Sequence, residues 1–461
     1  MPSIPQLSLL RRSLLSSVES ASSGGNRRQN VQWVEGVRGV ASFFVVVTHL
    51  CRSWDYSLWF PRDSETADPQ LLQLPFLRLP WQGRIGVTMF AFLTGYVCAL
   101  KPLRQLKSGN MAGAMTTLGK SAFRRPPRFI MPATIAMFLA WFLAQIGGFK
   151  VSQRCDARWL RSSSPSDVGT ITEEIYRFFQ AFQQQWSNGH NPYDDHQWAL
   201  LPLLQGAFLI YVTLFATLFM KFRYRIFTLT VLLWWFWSVP KPFKETFECQ
   251  FIYGILLCDI GSDTKFRDVV NSWVKTRRFV QTFCIILGWY VAGYPGERGD
   301  WAEWSRQLTY IGEYIFPQGM NDQPRRWTAA GWMLMVTGIW LSPTLQAILS
   351  NKLFMWIGRN SFAVYLTHGT ILRVVAARFV YGFSGEPFIV EKNEKGEDVF
   401  HWLPRGGPLT FTIAIPAFFV VTYTVAHLWT TYVDSMCARA TVWLEKTMFE
   451  DEDEKRMMQL P

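Results

Sequence analysis

The chain has 461 residues, of which 49% are hydrophobic, 16% aromatic and only 17% charged. Soluble globular domains carry about 25% charged residues, so this composition excludes a disordered chain, a disulfide scaffold and a nucleic-acid arm, and describes a multi-span membrane protein. The net charge of +12 does not restore the nucleic-acid class, because Lys and Arg fall in short clusters between apolar runs rather than along one face.

In chain order, residues 1–30 (MPSIPQLSLLRRSLLSSVESASSGGNRRQN) lack the long apolar core of a signal peptide. They read as a cytosolic tail, with a transit peptide or a surface-lying amphipathic turn as alternatives. Apolar runs then predict ten membrane spans near 36–53, 85–100, 129–149, 199–220, 226–239, 247–260, 279–294, 327–342, 354–374 and 409–432. Starting from an inside N-terminus, the inside segments hold 25 Lys/Arg against 11 Asp/Glu, and the outside segments 19 against 22. That asymmetry follows the positive-inside rule and places both termini in the cytosol. The membrane domain is expected over 31–435, with an acidic cytosolic tail over 436–461. No C-x-x-C occurs among the seven cysteines, which argues against a thiolate zinc site. Cys51, Cys155 and Cys249 are the ones placed where a lumen would oxidise them.

The first span, WVEGVRGVASFFVVVTHLCRSW, carries charge where charge is costly and marks function. Arg38 and His49 are eleven residues apart, which is about 20° past three turns and about 16 Å along a helix. Glu35, Arg38, Ser42 and His49 thus form a polar stripe on a helix otherwise built of Val, Phe and Ala. For each residue alone, a bland reading exists: Arg38 snorkels to headgroups, and His49 makes a structural bond.

Arg38, ten residues, then His49 resembles the opening motif of the membrane-bound acyltransferase family 3. Three further segments carry the same resemblance in order. GRIGVTMFAFLTGYVCALKPL is similar to the family's Ser-Gly-Tyr span, here Thr94-Gly95-Tyr96. FRRPPRFIMPA resembles its Arg-x-x-Arg motif, here Arg125 and Arg128. LFMWIGRNSFAVYLTHG resembles its late span, with Tyr365 and His368. The resemblance covers roughly 31–435 and is nearest to fungal members found beside natural-product genes. One departure stands out. The family often has Trp-Thr-x-Pro-x-Glu-Phe before the fourth span; this chain reads QWALLPLLQGAF, keeping Trp198 and Gly206 but placing Leu203 or Leu204 where the carboxylate falls. An altered acceptor site is the favoured explanation over lost activity.

The resemblance implies an all-α helix bundle that transfers an acyl group, acetyl or another short one, from an acyl-CoA (acetyl-CoA) co-substrate to a hydroxyl of a lipophilic small molecule in the endomembrane (endoplasmic reticulum) of a fungus. No permanently bound cofactor is expected, and the partners are the bilayer, acyl-CoA and an alcohol. His49 is the natural base, either accepting the hydroxyl proton or being acylated itself. Arg38 holds part of the donor or closes the cavity electrostatically. Arg125-Pro126-Pro127-Arg128 reads as a rigid basic corner suited to the phosphates of coenzyme A, or as a lipid anchor. Ser42, Thr94, Tyr96, Trp198, Tyr365 and His368 are the expected cavity residues, His368 reading equally as an interhelical bond. His190, Asp194, Asp195 and His196 lie close in sequence but show no zinc spacing; they read as a structural or acceptor-entry loop in preference to a metal site, and no metal is expected. The rival function is a transporter using Arg38, His49 and His368 as a relay.

Overall fold

The computed structural model describes residues 31–166, 168–239, 246–317, 322–382, 390–393, 395–396 and 398–449. Residues 1–30 and the acidic end over 450–461 lie outside them. Most of the described residues are helical, with one exposed hairpin in which β1 (Val390–Lys392) pairs antiparallel with β2 (Asp398–Phe400).

A helix occupies each of the ten apolar segments read from the sequence. They are α1 (Gln32–Trp54), α2 (Ile85–Lys107), α3 (Met111–Gln145), α5 (Leu200–Thr217), α6 (Phe222–Ser238), α7 (Phe247–Gly261), α8 (Val274–Ala292), α10 (Gln323–Leu341), α11 (Lys352–Ile371) and α12 (Pro408–Trp429). Two amphipathic helices, α4 (Ile171–Ser187) and α9 (Glu303–Ile315), sit in the connections. Among the described residues, six helical stretches are long and apolar enough to cross a membrane on their own, and a seventh if the pair bent by 99° at Ser342 counts as one span. The shorter α6, α7 and α8 therefore do not settle a count of ten. Large apolar side chains such as Val212, Phe215, Phe227, Trp234, Phe279, Ile413 and Val420 lie exposed, the surface that a lipid solvent covers and water does not.

Two expectations need correction. The Arg125–Arg128 segment is not a corner: α3 runs unbroken through Pro126, Pro127 and Pro132. A proline removes one helix hydrogen bond but its φ is helical, and packing along α3 outweighs the loss. The chain after Asp434 is not a tail from its start either. α13 (Ser435–Met448) packs back on α3, where Glu445 pairs with Arg124.

The contact that organises the site is the crossing of α1 and α11. A Cβ at Gly358 would sit 2.0 Å from the Glu35 carbonyl oxygen, and one at Gly39 would sit 2.7 Å from that of Phe354. Two glycines thus let the backbones touch. From this crossing the helices run in the same direction. Ten residues beyond Gly39 is His49, and ten beyond Gly358 is His368, so equal steps of about 15 Å bring the two imidazoles together.

Candidate active site

Near the crossing, a cavity of about 430 Å³ opens between α1, α2, α3, α5 and α11. Arg38, Arg125, Arg128 and Arg359 line it, with Thr94 and Tyr365. Its size lies within the usual range of small-molecule sites. Arg38 also pairs with Glu35 at 3.1 Å, one turn away, and the Arg125 guanidinium lies 4.4 Å from the centroid of Phe129. Leu203, one of the two residues standing where the family's carboxylate falls, is in the wall and presents an apolar side chain. A carboxylate reaches the same cavity from elsewhere: Asp434, at the end of a π-helical turn over Thr430–Asp434, with an unpartnered Oδ1. π-turns displace side chains from the ordinary helical rows and recur at functional sites.

The cavity wall at Tyr365 adjoins a second group of residues. The Tyr365 hydroxyl donates to the His196 carbonyl oxygen at 2.6 Å, and its ring centroid is 6.2 Å from that of His368. Behind it, His49, His196 and His368 converge. Their ring centroids are 4.2 Å (His49–His196), 5.3 Å (His49–His368) and 5.1 Å (His196–His368) apart. Trp159 stacks on His49 with centroids 5.4 Å apart.

The hydrogen bonds fix two of the tautomers. His196 Nδ1 lies 2.7 Å from Asp194 Oδ1, and a carboxylate only accepts, so Nδ1 carries the proton. His368 Nδ1 lies between the carbonyl oxygens of Val364 (2.9 Å) and Tyr365 (3.0 Å) and is likewise the donor. Both Nε2 atoms therefore present bare lone pairs, and His196 Nε2, His368 Nε2 and His49 Nδ1 are all buried without a hydrogen-bond partner. Asp194 is held in turn by Arg373 Nη2 at 2.9 Å. Burial alone raises the proton affinity of Asp194, but the Arg373 guanidinium and the His196 imidazole outweigh it and hold the carboxyl at about 2. Arg373 lies on a π-helical turn over Leu372–Ala376 and also donates to the carbonyls of Gly369 and Tyr193. Gly369 makes the packing possible: a Cβ there would fall 2.4 Å from His196 Nδ1 and 2.6 Å from Asp194 Oδ1.

Of the residues singled out from sequence, Arg38, Arg125, Arg128, Thr94 and Tyr365 share the cavity, and His49 and His368 share the imidazole cluster. Three lie elsewhere. Ser42 is buried and donates to the Gly39 carbonyl of its own helix. Tyr96 lines a separate cavity with Trp33, Arg104 and Trp340. Trp198 stacks on Phe247 outside the Arg-lined cavity, centroids 6.2 Å apart. His190 is exposed and takes no part. The sequence reading missed His196, Asp194, Arg373, Arg359 and Asp434. For Arg373 there was a signal, since a buried charge in a span demands a partner, here Asp194. Among the described residues no disulfide joins Cys51, Cys155 and Cys249, the cysteines placed where a lumen would oxidise them.

A family model described as an acyltransferase domain matches residues 31–427. Among similar proteins, the O-acetyltransferase PaAT-1 of Phomopsis amygdali is 23% identical, the alignment covering 92% of this chain and 86% of the relative. The acyltransferase clz18 of Cochliobolus lunatus is 23% identical over 75% of this chain and 78% of its own length. The acyltransferase R4 of a Phoma species is 24% identical over 65% and 70%. No solved structure matches.

Proposed function

This chain belongs to the membrane-bound acyltransferase family 3, and from that premise we propose that it transfers an acyl group from an acyl-CoA thioester to a hydroxyl on a lipophilic small molecule. Acetyl is the favoured group, and fungal secondary metabolism the favoured setting, because one similar protein is named an O-acetyltransferase and all three are fungal. The observation that carries the reading is the adjacency of two unlike sites: a cavity with four guanidiniums, and three imidazoles directly behind its Tyr365 wall.

The chemistry follows from that order. Coenzyme A is an anion bearing a 3′-phosphate and a diphosphate, and the planar fork of Arg can bond two phosphate oxygens at once. Arg125 and Arg128 hold the phosphates. Arg38 draws the donor inward, so that the thioester points along the roughly 16 Å separating it from His49. The acceptor's hydroxyl oxygen attacks the thioester carbonyl carbon while its proton passes to the lone pair of His49. The carbon–sulfur bond then breaks, the ester leaves, and the thiolate recovers the proton. Aromatic walls at Tyr365 and Trp159 exclude the water that would otherwise hydrolyse the thioester. The orientation in this reading is the one given by the charge asymmetry, with the Arg cavity toward the cytosol, where coenzyme A is found, in an endoplasmic reticulum protein of ten spans with both termini cytosolic. Replacing Arg125 and Arg128 together with Gln should raise the donor KM by about ten-fold or more per lost charge-assisted bond, with little change in acceptor KM. An unchanged donor KM alongside a lower protein level would make the pair a membrane anchor only.

A further inference from the structure

Three nitrogens meet in one buried space without a hydrogen-bond partner among the described residues: the bare lone pairs of His196 Nε2 and His368 Nε2, and His49 Nδ1. Ligand atoms of the three rings all lie within 4.8 Å of one another. Unpaired buried polar atoms are costly, and the facing lone pairs of His196 and His368 have no donor to share. A cation satisfies all three nitrogens at once.

The geometry is that of a three-histidine metal centre slightly expanded. At zinc–nitrogen bonds of about 2.0–2.1 Å, tetrahedral ligands stand about 3.4 Å apart and their ring centroids about 5 Å apart. The observed centroid separations of 4.2, 5.3 and 5.1 Å bracket that spacing. The surrounding bonds are those of metal-ligating histidines, which donate their second nitrogen to a carboxylate or a carbonyl: His196 to Asp194, and His368 to Val364 and Tyr365. Two guanidiniums, Arg52 and Arg373, act on His49, and Arg373 is paired with Asp194 at 2.9 Å. With three imidazoles and no oxygen ligand, the donor set selects zinc and its neighbours over magnesium or calcium.

We propose that His49, His196 and His368 form a binding site for a zinc-class divalent cation, and that the bound ion switches acyl transfer off. The second half rests on the assignment of His49 as base in the proposed reaction. A neutral imidazole has one lone pair. Once that pair is bonded to the ion, the other nitrogen carries the proton and the ring has nothing left to accept the acceptor's. The sequence concealed this site because its ligands come from α1, the segment before α5, and α11, with no local spacing to read.

The test uses the full chain purified in detergent, stripped with a chelator and titrated with Co²⁺, whose visible spectrum reports tetrahedral nitrogen coordination. One Co²⁺ per chain is expected, displaced by Zn²⁺ and not by Mg²⁺. His196→Gln and His368→Gln should each weaken it by 10-fold or more. Zn²⁺ should also raise the melting temperature of the unaltered protein, a measurement that needs no variant to fold. Acyl transfer should fall at least 10²-fold, the lower bound for losing a base, as zinc fills the site, and return with chelator. The absence of a tetrahedral spectrum, or one that persists in both variants, overturns the site and leaves His49's role standing. Zinc that binds but leaves turnover unchanged, or raises it, overturns the switch and removes His49 as base.

Discussion

Gly369→Ala adds a single methyl group, and the structure assigns it a definite effect. Gly369 lies near the end of α11 with helical geometry, so propensity alone favours Ala by about 1 kcal/mol. Were the position open, the variant would be more stable than the parent. It is not open: the new Cβ meets His196 Nδ1 at 2.4 Å and Asp194 Oδ1 at 2.6 Å. Neither group has room to retreat, because Asp194 is gripped by Arg373 and the His196 backbone carries the Tyr365 hydroxyl. Relief requires parting the Asp194–His196 bond, at about 1.5–3 kcal/mol for a charge-assisted hydrogen bond, or straining the packing by about 1–3 kcal/mol. Set against the propensity gain, either leaves a net loss of up to about 2 kcal/mol by thermal melting in detergent. The displaced His196 should also lower kcat for acyl transfer by 10-fold or more. Donor KM should stay within about 3-fold, because the Arg-lined cavity lies on the other side of Tyr365. Gly407→Ala is the control: a Cβ there meets nothing within 4 Å. A Gly369→Ala protein that melts higher than the parent and keeps full turnover would refute the placement of His196 and Asp194 against α11.

The remaining predictions concern the base, the donor and the orientation. His49→Gln keeps a hydrogen-bonding side chain but cannot act as a base, so turnover should fall about 10²–10⁴-fold, which is about 3–5 kcal/mol of barrier; a loss of only a few-fold would exclude His49 from the chemistry. Labelled acyl-protein trapped in the parent and absent from His49→Gln would select the covalent route over direct proton abstraction. Asp434→Asn removes the carboxylate from the four-Arg cavity and should change donor KM while leaving melting nearly unaltered; an unchanged KM would show that Asp434 does not face the bound donor. A single cysteine at the exposed Ser108, in a segment with seven Lys/Arg and no acid over 101–128, should react with an impermeant probe only from the cytosolic side, and labelling only from the lumen would invert the orientation.

The parts of this site legible in the sequence are those lying on single helices. Arg38 and His49 declared themselves because helical geometry converts eleven residues into one face, and Arg125 with Arg128 because they stand together in one short basic motif. Thr94 and Tyr96 were read together, yet residues two apart on a helix point in different directions, and only Thr94 reaches the Arg cavity. The imidazole cluster was half visible. His49 and His368 were both noticed, but the glycine crossing that aligns them is a tertiary fact, and so is the arrival of His196 from the segment before α5. Asp194–His196 was dismissed as a local cluster without metal spacing, when its partners were 147 and 172 residues away in the chain. The Pro126-Pro127 pair misled in the opposite sense, as a local rule that the packing of a long helix overrode.

The central claim is thioester-dependent transfer to an alcohol. Its most direct test is purified protein in liposomes, given acetyl-CoA labelled in the acetyl group and a panel of lipophilic alcohols, with the label followed into organic-extractable ester. The account predicts ester formation that needs both the thioester and an alcohol, releases one free thiol per ester, and falls at least 10²-fold in His49→Gln. Accumulation of an alcohol inside the liposomes without thioester cleavage, equal with and without acetyl-CoA, would contradict it and identify a transporter instead.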